Sequence, residues 1–129
     1  MKSFAFAIII DDDVTNNLIC ENIILNTSLA KKVQSFSSQV QGYSFLEQCP
    51  QSEECPDLIF LDLRFPEEKI GWEFLDSIRG IIQKFNNQPD IYILTSSIAG
   101  RDIEKANNDP LVKGFISKPL TKEKLQTIF

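Results

Sequence analysis

Apolar residues enter this chain in two ways. Some form short unbroken runs: Phe4–Ile10, Leu58–Leu61, Ile91–Leu94 and the shorter Gly114–Ile116. Runs apolar at every position, not every second one, are the pattern of strands covered on both faces, as in a parallel sheet. A weaker strand is expected around Val33–Ser38. Elsewhere apolar residues recur at helical spacing, as in Val14, Leu18 and Leu25, and again in Leu75, Ile78, Ile82 and Phe85. Arg101–Asn107 reads as a short polar helix. Thr121 is a suitable N-cap for a last helix whose Leu125, Ile128 and Phe129 point inward. Pro50, Pro56, Pro66, Pro89, Pro110 and Pro119 are expected between these elements or at their edges, where proline is tolerated. The order is strand–helix repeated five times, and right-handed crossovers turn it into a doubly wound five-stranded parallel α/β sandwich.

Function in such sheets gathers beyond the carboxyl ends of the strands. The first run is followed by Asp11-Asp12-Asp13, the second by Asp62, the third by Thr95 and Ser96, and the last by Ser117, Lys118 and Pro119. Adjacent carboxylates repel, and burying one unpaired is costly. A cation set among them removes that difficulty. Carboxylates without histidine or paired thiolates suit a hard ion, Mg²⁺ first and Mn²⁺ second. The first-strand aspartates and Asp62 share it. Lys118 and the Thr95 hydroxyl then complete an electrostatic clamp for a phosphoryl group. Asp62, single and on its own strand, is the better nucleophile, and its attack on phosphorus gives an acyl phosphate. Each residue also has an ordinary role: Asp13 caps the helix opened by Val14, Asp62 makes a turn, Thr95 lies in a polar loop, Lys118 is solvated. The coincidence at four strand ends favours the joint site.

Composition narrows the classes. The 129 residues fit one domain, and a net charge of −5 speaks against direct nucleic-acid binding. No apolar run spans a bilayer, and Phe4–Ile10 ends in aspartates where a signal peptide would carry small residues. The expectation is a cytoplasmic protein without a membrane partner. There is no histidine, which removes Ser-His-Asp and Cys-His catalysis, and Cys20, Cys49 and Cys55 form no CxxC. An odd cysteine count argues against a disulfide framework.

The segments "IIIDDD", "PDLIFLDLRFP" with "GWEFL", "IYILTSS" and "KGFISKPLTKEKL" together resemble the response-regulator receiver domains of two-component signalling, over essentially the whole chain and in a single-domain, chemotaxis-regulator-like form. The resemblance implies a flavodoxin-like (βα)5 sandwich over 1–129 with no output domain. It implies a signalling phosphoprotein, not an enzyme beyond assisting its own phosphoryl transfer and slow dephosphorylation. By position, Asp62 corresponds to the phosphoacceptor, loaded from a kinase phosphohistidine in the presence of Mg²⁺. Asp11 and Asp12 correspond to the acidic pair, with Asp12–Asp13 the alternative register that the triplet leaves open. The Arg64 backbone carbonyl corresponds to the third protein ligand of the metal. Thr95 and Lys118 correspond to the switch hydroxyl and the phosphate-binding lysine, Phe115 to a rotating aromatic, and a cis peptide is implied before Pro119.

The implied partners are a histidine kinase or phosphotransfer protein and an unidentified downstream protein, with the chain a monomer or weak homodimer. The expected output surface is Ile98–Asn107, Phe115 and Leu120–Lys124, with Ile98, Ile103 and Leu120 as apolar contacts. The chain departs from the family pattern in the loop "RFPEEKIG", which is one residue longer and carries Lys69-Ile70 before its glycine. Arg64 is a bulky cation, and Phe115 lacks a hydroxyl. The runner-up is a haloacid-dehalogenase-like phosphatase, because "DDDVT" also fits a DxDxT signature with Asp11 as nucleophile and Asp13 as general acid/base. That reading needs a further acidic pair after Lys118, where only Glu123 follows, and it leaves Asp62 without a task.

Overall fold

The computed structural model describes residues 1–52, 54–65, 70–96 and 99–129. The elements alternate throughout: β1 (Phe4–Ile10), α1 (Val14–Asn26), β2 (Ala30–Phe36), α2 (Gln39–Ser52), β3 (Leu58–Leu61), α3 (Gly71–Ile82), β4 (Asp90–Thr95), α4 (Gly100–Asn108), β5 (Val112–Ser117) and α5 (Lys122–Ile128). The five strands are parallel, in the order β2-β1-β3-β4-β5. This is the doubly wound, flavodoxin-like arrangement, with its switch point between β1 and β3.

Successive side chains of a strand face opposite layers, and β1 divides accordingly. Ile8 and Ile10 join the core beneath α2, α3 and α4, with Leu46, Leu75, Ile78 and Ala106. Ala7 and Ile9 join the core beneath α1 and α5, with Cys20, Ile24 and Leu125. Each fully buried Ile or Leu contributes about 1.5–3 kcal/mol by leaving water. That is why the central strands β1 and β3 are almost wholly apolar and buried, while the edge strand β2 exposes Lys31 and Lys32.

The expected strands are present. β1 and β3 keep their predicted limits, β4 and β5 extend slightly beyond them, and β2 begins three residues before Val33. Three local expectations fail. Val14, Leu18 and Leu25 are 59%, 57% and 47% exposed, and α1 instead buries Asn17, Cys20 and Ile24. Pro50 lies inside the last turns of α2. Ile128 is 39% exposed, whereas Leu125 is buried and Phe129 packs edge-on against Phe4. No helix among the described residues is long and apolar enough to cross a membrane.

Candidate functional site

The ladder register builds the site. Ile10 lies opposite Leu61 on β3, so the next residues, Asp11 and Asp62, emerge side by side. The Asp62 N–H donates to the Ile10 carbonyl at 3.0 Å, and the Asp11 N–H to the Phe36 carbonyl at 3.0 Å. On the other side Thr95 ends β4 opposite Ser117 of β5, and the Lys118 N–H donates to the Thr95 carbonyl at 3.0 Å. The Lys118–Pro119 peptide is cis. Lys124 of α5 holds this turn, its ammonium donating to the carbonyls of Ser117 (2.7 Å) and Pro119 (2.9 Å).

The Lys118 ammonium reaches Asp11 Oδ2 at 2.6 Å and Asp62 Oδ2 at 3.1 Å. Carboxylate oxygens of Asp11, Asp12 and Asp62 all lie within 4.8 Å of one another. Asp11 and Asp62 are buried and Asp12 is exposed, so the cluster opens to solvent on the Asp12 side. The site holds three carboxylates against one ammonium. Burial pushes the Asp11 carboxyl up to about 6, and the charge of Asp62 adds to it against the pull of Lys118 and the Asp13 N–H. Burial works against the Lys118 ammonium too. Its bonds to Asp11 and Asp62 prevail, and its pKa is raised.

Asp13 has a different task. Its side chain accepts from the Asn16 N–H at 3.0 Å as the N-cap of α1. Asp11, Asp12 and Asp62 are thus brought together, and Asp13 is turned to the helix. Arg64 is exposed, and its N–H donates to Asp62 Oδ1 at 3.3 Å. Thr95 is fully buried, and half-buried Phe115 packs against the core on the α4 side. Of the expected output surface, Leu120 is buried and Ile103 is 38% exposed. Ile98 lies outside the described residues, as do Pro66–Lys69 of the lengthened loop.

Several residues that shape the site were not singled out from the sequence. The Asn16 side chain donates to Asp11 Oδ2 at 3.1 Å, and the Asn17 side chain to the Asp11 carbonyl at 2.8 Å. The signal was present, since two amides lie within the first helical turn after the acidic triplet. Gly71 admits the start of α3 against the Asp62 loop: a Cβ there would lie 2.5 Å from the Asp62 carbonyl oxygen and 2.7 Å from the Leu63 Cα. Trp72 then spans from α3 to α4, its indole N–H donating to Asp102 at 3.0 Å with Lys105 stacked over the ring.

Sheet order, acidic cluster and opposed lysine define a class that sequence comparison identifies. Residues 7–129 match the response regulator receiver domain, and the chain belongs to that family. Among solved structures it is similar to a two-component response regulator from Cytophaga hutchinsonii, with 28% identity and a TM-score of 0.88 over 98% of this chain and 95% of the other. A response regulator receiver protein from Dyadobacter fermentans is 26% identical with a TM-score of 0.81, over 96% and 94% of the two chains. A CheY-like receiver domain from Methylobacillus flagellatus shares the fold at 14% identity and a TM-score of 0.72, over 98% of this chain and all of the other. No curated protein matches the chain.

Proposed function

We infer that this receiver domain is a phosphoacceptor of a two-component phosphorelay, with Asp62 the residue that carries the phosphoryl group. The observation that carries the reading is the Lys118 ammonium bridging Asp11 and Asp62 with Asp12 in reach. An oxygen-only donor set within 4.8 Å and open to water fits Mg²⁺ or Mn²⁺. Asp11, Asp12, Asp62 and the Arg64 carbonyl would hold the ion, which when bound supplies charge neutralisation for the incoming phosphoryl oxygens.

The remaining chemistry belongs to the chain. A carboxylate oxygen of Asp62 attacks phosphorus, and the P–O bond forms as the P–N bond to the donor imidazole breaks, its electron pair staying on nitrogen. Lys118 exchanges its contact with Asp62 for one with a phosphoryl oxygen, so the charge that now holds the carboxylate comes to hold the product. Thr95 donates its hydroxyl to another phosphoryl oxygen, and Phe115 turns inward as Thr95 moves. The donor is a histidine kinase or phosphotransfer protein. Exposed Val14 and Leu18 on α1, next to the acidic cluster, offer it an apolar footing. A downstream protein then reads the altered surface.

The test is intact mass spectrometry after incubation with acetyl phosphate and Mg²⁺. The expected product is an acid-stable, base-labile phosphoryl adduct on Asp62 that Asp62→Asn abolishes, because an amide is a poor nucleophile. An adduct mapped to Asp11 or Asp12 overturns the assignment.

A further inference from the structure

Lys124 closes the segment expected as an output surface, yet its ammonium turns back onto the chain. It stands in the first turn of α5, where a cation meets the positive end of the helix dipole. Its ammonium donates to the Ser117 carbonyl at 2.7 Å, the Ser117 hydroxyl at 3.2 Å and the Pro119 carbonyl at 2.9 Å. An ammonium has three donors, and these three acceptors belong to the two residues that flank Lys118. The Lys124 N–H is fixed as well, donating to the Thr121 hydroxyl at 3.1 Å. Docking of α5 has other causes. Leu120 and Leu125 are buried in the core beneath α1 and α5, and Thr121 caps the helix. Apolar burial is non-directional, so it does not set where the carbonyls of the β5–α5 turn point. The Lys124 ammonium does.

We propose that Lys124 is a positioning residue for phosphoryl capture: by fastening the carbonyls on both sides of Lys118, it fixes the base from which the Lys118 ammonium meets a phosphoryl oxygen. The inference rests on the reading of Asp62 as phosphoacceptor and adds to it a residue that touches neither the phosphoryl group nor the metal.

At rest the Lys118 ammonium is held from its far end, by Asp11 at 2.6 Å and Asp62 at 3.1 Å. When it gives up Asp62 for a phosphoryl oxygen, that hold weakens. A lysine stem is flexible, so the anchoring of its backbone then decides where the ammonium goes. One anchor is the Lys118 N–H, which donates to the Thr95 carbonyl at 3.0 Å. The other is Lys124, whose charge-assisted bonds are about twice as strong as neutral ones. Ser117 lies opposite Thr95 in the ladder between β4 and β5. One side chain of α5 therefore steadies the strand ends that carry both groups assigned to the phosphoryl oxygens.

The test compares wild type, Lys124→Met, Lys118→Met and the double variant by titration with Mg²⁺ alone and with beryllofluoride at saturating Mg²⁺. Melting curves come first, and Lys124→Gln replaces Lys124→Met if the latter is unfolded at the assay temperature. Lys124→Met is expected to weaken beryllofluoride binding about tenfold or more, since a misplacement of about 1 Å can cost on the order of a hundredfold. Its Mg²⁺ affinity is expected to be at least that of wild type, because the ammonium that opposes a cation is held less firmly. A merely structural loosening weakens both ligands together. In the Lys118→Met background, Lys124→Met is expected to add nothing, which marks an effect exerted through Lys118. Beryllofluoride affinity unchanged in Lys124→Met, a parallel loss of Mg²⁺ affinity, or additive losses in the double variant overturns the proposal while leaving Asp62 as acceptor. A wild-type chain that takes up neither beryllofluoride nor a phosphoryl group from acetyl phosphate overturns the phosphoacceptor reading, and this proposal with it.

Discussion

Asp11, Asp12 and Asp13 are chemically identical neighbours, and the fold gives each a different environment. Asp11 is buried against Lys118, Asp12 faces solvent at the mouth of the cluster, and Asp13 caps α1. Exchange to alanine separates them. Asp12→Ala is expected to abolish the rise in melting temperature that Mg²⁺ produces by binding the folded state. Asp13→Ala is expected to keep that rise while losing about 1 kcal/mol of stability with its cap. Thermal melts with and without Mg²⁺ check both, and the reverse pattern moves the acidic pair to Asp12–Asp13. Asp11 adds a pH dependence. Its carboxyl titrates near 6 in the folded chain against an ordinary value of 3.8, so between those values the folded state binds a proton that the unfolded state has released. The metal-free protein therefore loses stability as pH rises through this window, and the loss is complete above it. Mg²⁺ bound at this cluster, as proposed, would compete with that proton. Its stabilising effect is expected to be large at about pH 7.5 and small at about pH 5, measurable as paired melts across the range.

At the level of elements, contacts between α3 and α4 link the Asp62 loop to α4. Gly71 brings α3 against the Asp62 carbonyl, and Trp72, the next residue, bonds to Asp102 in the first turn of α4. Arg79, near the end of α3, pairs through both guanidinium nitrogens with Asp109 at the end of α4. Two attachments at opposite ends constrain α4 along its length. Trp72 is the only tryptophan, so its fluorescence reports this contact. Beryllofluoride with Mg²⁺ is expected to shift its emission, and Asp102→Asn to alter the emission while leaving the Asp62 adduct intact. Trp72→Phe removes a hydrogen bond and part of a buried ring, at a cost of about 1–2 kcal/mol in urea melts. Unchanged emission under beryllofluoride means that this contact does not move.

Across the whole molecule, phosphorylation of Asp62, as proposed, would act by biasing an equilibrium between two arrangements of one fold, and only through contacts that differ between them. Thr95 is the residue expected to make that difference. It is fully buried at the end of β4, and its carbonyl accepts from Lys118, which already touches Asp62. Thr95→Ala is expected to permit phosphorylation of Asp62 yet uncouple it from residues 99–124. Amide exchange with and without beryllofluoride reads the outcome: wild type changes protection across that segment, and the variant does not. A wild-type response confined to 54–65 instead routes the signal through the acceptor loop.

Strands and strand ends were legible because a parallel strand buried on both faces must be apolar at every position. The first polar residue after such a run therefore marks where the sheet ends, and Asp11, Asp62, Thr95 and Ser117-Lys118 all announced themselves this way. Family membership was legible for the same reason, since the motifs are those strand ends. Helix α1 shows where this kind of reading stops. Its periodicity predicted a helix, but it carries apolar residues on several sides. Val14, Leu18 and Leu25 fit helical spacing as well as Cys20 and Ile24 do, and only docking against the sheet selected the second set. The triplet had the same limit. Three equal carboxylates carry no label, and only in the fold does Asp13 cap α1 while Asp12 joins Asp11 and Asp62. Local pattern determines which elements form and where they end. Which face of an element is buried, and which distant side chains meet, depends on packing between elements, and that exists only in the folded molecule.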